Sequence, residues 1–112
     1  IKSEVRFTQA QRDSALIQYE KAIQTAFAEV SDALIAHQRV RESRVQQELL
    51  VSALQDRTRL AYVRCRGGLD TLLNALDSDR DLFQAELARS QIRLNELISV
   101  VQLYKALGGG WQ

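Results

Sequence analysis

The sequence predicts an all-α chain: a long antiparallel coiled-coil hairpin made of two helices of unequal length. Three observations lead there. Proline is absent, so no residue forces a helix to end for want of a backbone donor. The five glycines lie only at Gly67-Gly68 and Gly108-Gly109-Gly110, leaving two long stretches without a helix breaker. Within both stretches apolar residues return every three or four positions, which keeps one face of a helix turned toward a partner.

The first helix is predicted over about residues 4–65. Leu16, Tyr19, Ile23, Ala26, Val30, Ala33, His37 and Val40 alternate steps of three and four, a heptad seam. The next two seam positions hold Arg44 and Gln47, and the apolar pattern predicts a shifted register through Val45, Leu49, Ala53 and Leu60. A tip turn over 66–70 follows, where glycine tolerates positive φ, the arginines suit a helix C-terminus and Asp70 suits the next N-cap. The return helix is predicted over 71–107, with a seam of Phe83, Leu87, Ser90, Leu94, Leu97, Val101 and Tyr104. Gly108 is the expected stop, and residues 108–112 form a C-terminal tail of this single segment.

Folded back about Gly67-Gly68, the helices should pair residues whose numbers sum to about 137, so that Tyr104 reaches only to Ala33. The first helix, roughly 90 Å long at 1.5 Å per residue, should then overhang the second by about two dozen residues. That overhang carries the cleanest heptads, Leu16 to Val30, and they call for partners outside the segment. Leu34, Leu50, Leu54, Leu72, Leu82, Ile98 and Leu103 fall beside the main seams. Faces this wide suit a bundle, a barrel of helices or an oligomer.

Composition excludes several functions. With 15 basic and 14 acidic residues, the net charge of +1 predicts no polyanion partner. Twelve of the basic residues are arginine, suited to bidentate pairing with carboxylates. The arginines from Arg39 to Arg44 and from Arg57 to Arg66 are interleaved with Glu42 and Asp56. They read as a solvated, salt-bridged face and not as a nucleic-acid site. No apolar run approaches the roughly 20 residues that span a bilayer, and no signal peptide opens the chain. Methionine is absent even at position 1, so the chain is expected to be a piece of a longer protein. Cys65 is alone, which rules out a disulfide within one chain. His37 has no second ligand at metal-binding spacing. A hairpin offers little enclosed pocket, so neither an enzyme nor a cofactor is expected.

The stretch "YVRCRGGLDTLLNALDSDRDLFQAELARSQIRLNELISVVQLYKALGGGW" resembles the C-terminal segment of the outer-membrane factor family, the TolC-like and OprM-like exit ducts of tripartite efflux systems. The likeness rests on Arg64, Arg66, Gly68, Leu69, Leu76, Asp77 and Arg80, on the ending "LYKALGGGW", and on "YEKAIQTAFAEVSDAL" upstream. The last two are typical of the OprM-like branch that serves resistance-nodulation-division pumps. The resemblance runs from about residue 3 to Trp111. Departures are small: Cys65 stands where an aromatic is common, Gly67 where alanine or a longer residue is common, and Asn74 where many relatives are acidic.

What the resemblance implies is specific. Members are trimers, often lipoproteins, with a membrane β-barrel continued into a periplasmic barrel of helices. One helix descends to the periplasmic tip and a shorter one returns to an equatorial region, where another helix of the protein covers the long one. The tip, here Arg66, Gly67, Gly68 and Leu69, would dock the periplasmic adaptor protein, which joins the duct to an inner-membrane pump. Asp77, with Asn74 one turn earlier, would line the pore constriction of a homotrimer, and Arg57 or Arg59 would be its ion-pair partners. The bland reading of Asp77 is a surface ion pair with one of those arginines, worth about 0–1 kcal/mol. The segment would lie in the periplasm, export drugs or metals passively and use no cofactor. An isolated fragment would expose its seams and self-associate, or swap helices about the Gly-Gly hinge. The alternative is a coiled-coil hairpin interaction module, adaptor-like or structural, with no channel role. It predicts two arms of similar length.

Overall fold

The computed structural model describes residues 1–108. Two helices account for nearly all of them, α1 over Lys2–Arg66 and α2 over Leu72–Gly108. They form an extended antiparallel hairpin, 100 × 18 × 15 Å along its principal axes. The helix α2 runs through Gly108 before leaving the described residues, so the tail predicted beyond it, with Trp111, lies outside them.

The arms are unequal, 65 residues against 37. His37 pairs with Ser99 and Arg57 with Asp81, close to the pairing rule expected of a hairpin closed at the glycines. Residues 1–25 are all exposed, so Leu16, Tyr19 and Ile23 face no partner among the described residues, whereas Ala26 and Val30 are already half-buried by the end of α2. The uncovered part of the seam is therefore shorter at its tip-proximal end than Leu16 to Val30.

The seam of α1 does not shift. From Ala26 its covered positions run through Val30, Ala33, His37, Val40, Arg44, Gln47, Val51, Leu54, Thr58, Ala61 and Cys65, alternating three and four throughout. Arg44 and Gln47 sit inside the interface because polar side chains there have polar partners. The Gln47 amide donates to the Ala85 carbonyl at 2.9 Å, and Arg44 donates through Nε to Glu96. The shifted set Val45, Leu49 and Leu60 is exposed instead.

The seam of α2 is also not the one its large apolar residues suggest. The covered positions are Ala75, Ser78, Leu82, Ala85, Arg89, Ile92, Glu96, Ser99, Leu103 and Ala106. Phe83, Leu97 and Tyr104 are 61%, 65% and 74% exposed, and Leu87, Leu94 and Val101 are exposed with them. Leu73 and Leu76 extend this outer stripe toward the tip. Thus α2 carries two heptad series on different faces, and the one dominated by small and polar side chains faces α1. Small residues permit close approach of two helices, since interaxial distance follows the side chains at the contact. Only Val51, Ala75 and Ala85 form the fully buried apolar core of the described residues.

The reversal at the tip is a Schellman motif. The amide of Leu69 donates to the Arg64 carbonyl at 2.9 Å and that of Gly68 to the Cys65 carbonyl at 3.1 Å. This geometry puts Gly68 at φ +74, the left-handed region. Gly67 is different, with φ −81, and an added Cβ there would meet the Val63 and Arg64 carbonyls at 3.5 and 3.8 Å, ordinary contact. Gly68→Ala should therefore destabilise the chain by about 1 kcal/mol through backbone strain alone. Gly67→Ala should be neutral or stabilise by up to about 1 kcal/mol by restricting the unfolded chain. Denaturant unfolding followed by far-ultraviolet circular dichroism would separate the two glycines.

Candidate functional site at the hairpin tip

The turn presents the four predicted docking residues together. Arg66 closes α1, and Gly67, Gly68 and Leu69 form the apex, all exposed. Leu69 is 78% exposed, an apolar side chain held out at the far end of a 100 Å rod. No Cβ contact would arise within 4 Å of Gly68, so its bare backbone is open to a close approach from outside.

Leaving the turn, the chain caps α2 one residue later than the sequence predicts. Thr71 is the N-cap: its hydroxyl accepts from the Asn74 amide N–H at 3.3 Å. Asp70 stands just outside, where its Oδ1 accepts from the Thr71 amide at 2.8 Å and from the Asn74 side-chain amide at 2.6 Å. The Thr71 N–H, then Asn74, and more weakly the charge of Arg64, hold the Asp70 carboxyl below the usual range. An acidic residue at position 74 would set a second carboxylate against Asp70, whereas the amide of Asn74 donates to it.

Behind the turn, a groove of about 460 Å³ opens on one side of the hairpin. Arg57, Leu60 and Arg64 line it from α1, and Asp70, Asn74 and Asp77 line it from the other arm. Asn74 and Asp77 thus share one face, as the sequence suggests. The ion pairs are distributed differently from the sequence expectation. Within the hairpin Arg57 binds Asp81 at 3.2 Å, and Arg59 reaches Asp56 at 4.0 Å. Asp77 is 4.0 Å from Arg80 on its own helix. The helical positions explain this choice: Arg57 and Asp81 occupy matching levels beside the seam, while Arg59 points to the outer face. Asp77 is consequently held by no short bond.

Two further contacts were not anticipated. Tyr62 donates its hydroxyl to Asp79 across the opposite flank, and this bond raises the tyrosine pKa above its ordinary value. Glu48 accepts from Arg93 at 3.2 Å and from Arg44 at 3.1 Å, and its carboxyl is lowered, chiefly by Arg93. Both lie on the flanking positions of an antiparallel pair, where the opposite charges of Glu48 and Arg93, and the hydroxyl of Tyr62 level with Asp79, follow from the sequence once the seam is placed. His37 hydrogen-bonds Ser99 at 2.9 Å, and Cys65 is a half-buried seam residue. Among the described residues there is no grouping of three potential metal ligands, and no helix is long and apolar enough to cross a membrane.

The hairpin thus leaves large apolar side chains exposed along both arms and at its tip. Residues 1–109 match the family model described as outer membrane efflux protein. The chain therefore belongs to the outer membrane efflux protein family. It is 48% identical over 111 residues to the toluene efflux pump outer membrane protein TtgC of Pseudomonas putida, and equally to the antibiotic efflux pump outer membrane protein ArpC of the same species. Both matches cover 99% of this chain and 23% of the relative. The pyoverdine export outer membrane protein OpmQ, also of Pseudomonas putida, is 40% identical over 107 residues, covering 96% of this chain and 23% of that protein. The chain thus spans about a quarter of the length of the curated relatives it matches.

The Asp70 contacts make a pH dependence predictable. Its folded pKa lies below its unfolded value of about 3.9, so its contribution to stability is complete above that value and is lost as pH falls through the folded pKa. Asp70→Asn should flatten this part of the acid limb between about pH 5 and pH 2, while leaving stability at pH 7 lower than wild type. Denaturant midpoints measured across that range would show it.

Proposed function

We propose that this chain is a wall segment of the periplasmic channel in an outer-membrane efflux duct. In this reading α1 descends to the periplasmic tip and α2 returns part of the way. The observation that carries it is the pair of unsatisfied surfaces on a chain of this family. One is the bare seam of Leu16, Tyr19 and Ile23 above the end of α2. The other is the outer stripe from Leu73 to Tyr104. The first asks for a helix that continues where α2 stops, and the second for a neighbouring hairpin, as in a trimeric barrel.

In this reading the tip has two roles, which its exposed residues support. Arg66, Gly67, Gly68 and Leu69 form a docking apex for a periplasmic adaptor, with Gly68 giving backbone access, Leu69 an apolar contact and Arg66 a polar one. Asp77, weakly engaged within its own hairpin, is free to project toward a channel axis, where symmetry copies would draw in cations. Asn74 lies beside it. Arg57 and Arg59 are available to bridge to neighbours only by leaving Asp81 and Asp56, exchanges that cost little at exposed pairs. Transport is passive, and the energy comes from an inner-membrane pump. Relatives named for toluene, antibiotic and pyoverdine export are 40–48% identical across this segment, which supports placing cargo choice elsewhere.

Two variants of the full-length protein test the reading. Gly68→Trp, at unchanged outer-membrane abundance, should abolish most efflux, and full efflux would refute a docking role for the tip. Asp77→Ala should lower cation preference and raise conductance in planar bilayers. Single-channel traces identical to wild type would remove Asp77 from the constriction.

A further inference from the structure

We infer that the polar layer of Arg44, Glu48, Arg93 and Glu96 is a register lock that fixes the axial position of α2 along α1. The Gly67-Gly68 turn sets the pairing beside it. Farther along the rod, a seam rich in alanine and serine specifies register poorly, because small side chains make few distinct knobs and a slip of seven residues restores the heptad. The residues one heptad away from Glu96 on α2 are Arg89 and Leu103, and both are seam residues. If α2 slipped one way, Arg44 would meet Arg89, and like charges would face each other at the centre of the interface. If it slipped the other way, Arg44 would meet Leu103 and Glu96 would meet Val51, the most buried large side chain of the hairpin. Only the observed register sets a carboxylate at the seam position directly opposite Arg44, with Glu48 joining Arg44 at 3.1 Å to Arg93 at 3.2 Å.

Arg89 adds to the contrast between registers. Its Nε is buried and has no hydrogen-bond partner among the described residues, so the native register leaves a cation in the seam that a displaced carboxylate could satisfy. The lock also lies some 22 residues from Arg66, about 33 Å from the tip. It can therefore hold register when contacts at the turn are disturbed. His37 and Ser99 add little discrimination. Ser99 donates to the Glu96 carbonyl at 2.6 Å, so it accepts from His37 Nδ1, and hydroxyl and imidazole tolerate many partners.

The test is a distance measurement between spin labels at Gln46 and Gln91, exposed residues on opposite arms, in the full chain carrying Cys65→Ser. Dilution with unlabelled chain isolates pairs within one molecule. The unaltered seam should give one distance. Arg44→Glu sets a carboxylate against Glu96 and favours facing Arg89, so a longer population should appear, displaced axially by about 10 Å, one heptad. Adding Glu96→Arg should restore the single distance. A single unchanged distance in Arg44→Glu would overturn the lock. Should Arg44→Glu instead lose its helical circular dichroism, recovery of helicity and of the single distance in the double variant would support the lock, and no recovery would overturn it.

Discussion

Small and polar residues along the inner face of α2 let it lie against α1, and this one choice determines what the remaining surface is for. With Ala75, Ser78, Ala85, Ser99 and Ala106 turned inward and only Leu82, Ile92 and Leu103 among them, most of the large apolar side chains of α2 face out. The hairpin consequently buries few apolar groups of its own, Val51, Ala75 and Ala85, while a stripe from Leu73 to Tyr104, interrupted by Arg80 and Ser90, stays exposed. Exposed apolar surface on this scale marks a contact region. Coherence of the rod alone comes from long helical hydrogen-bond ladders and a few polar cross-links. In the proposed duct, neighbouring helices would supply the rest.

The tip meets two demands with one set of residues. Chain reversal needs a left-handed residue, satisfied carbonyls at the end of α1 and a cap at the start of α2. Gly68, the Leu69 and Gly68 amides and Thr71 supply them in that order. Because those needs are met by backbone and short side chains, the longer ones are free. Leu69 and Arg66 project outward, and Asp77 retains only a 4.0 Å contact with Arg80. A turn made stiff by its own hydrogen bonds can hold the proposed docking groups in place without using them for folding.

Much of this was legible in the residues. The absence of proline and the clustering of glycine placed both helices and the turn, and the positions of those glycines set unequal arms. The tip motif pointed to the family, and Asn74 and Asp77 do share a face. The largest apolar residues of α2 are mostly not the buried ones. On α2 two heptad series run side by side, and periodicity alone cannot say which faces inward. Phe83, Leu87 and Leu94 have the stronger hydrophobic signal and are outside. On α1, Arg44 and Gln47 looked like an interruption, although each finds a partner across the seam in Glu96 and the Ala85 carbonyl. Partner identity is a property of the pair of helices, and it is invisible along one of them. The Asp70 expectation missed by one residue for a related reason: both Asp70 and Thr71 can cap, and turn geometry decides between them.

The division of each helix into an inner face for its own partner and an outer face for neighbours is most directly tested by thiol modification of single cysteines in a Cys65→Ser background. Leu87→Cys and Leu97→Cys lie on the outer stripe, and Ala85→Cys lies in the seam. The predicted result is that Ala85→Cys resists modification in both the 112-residue chain at low concentration and the assembled full-length protein, whereas the outer cysteines react in the chain and are protected in the assembly. Outer cysteines that react equally in both, or an Ala85→Cys that reacts as fast as they do, would contradict the assignment of faces.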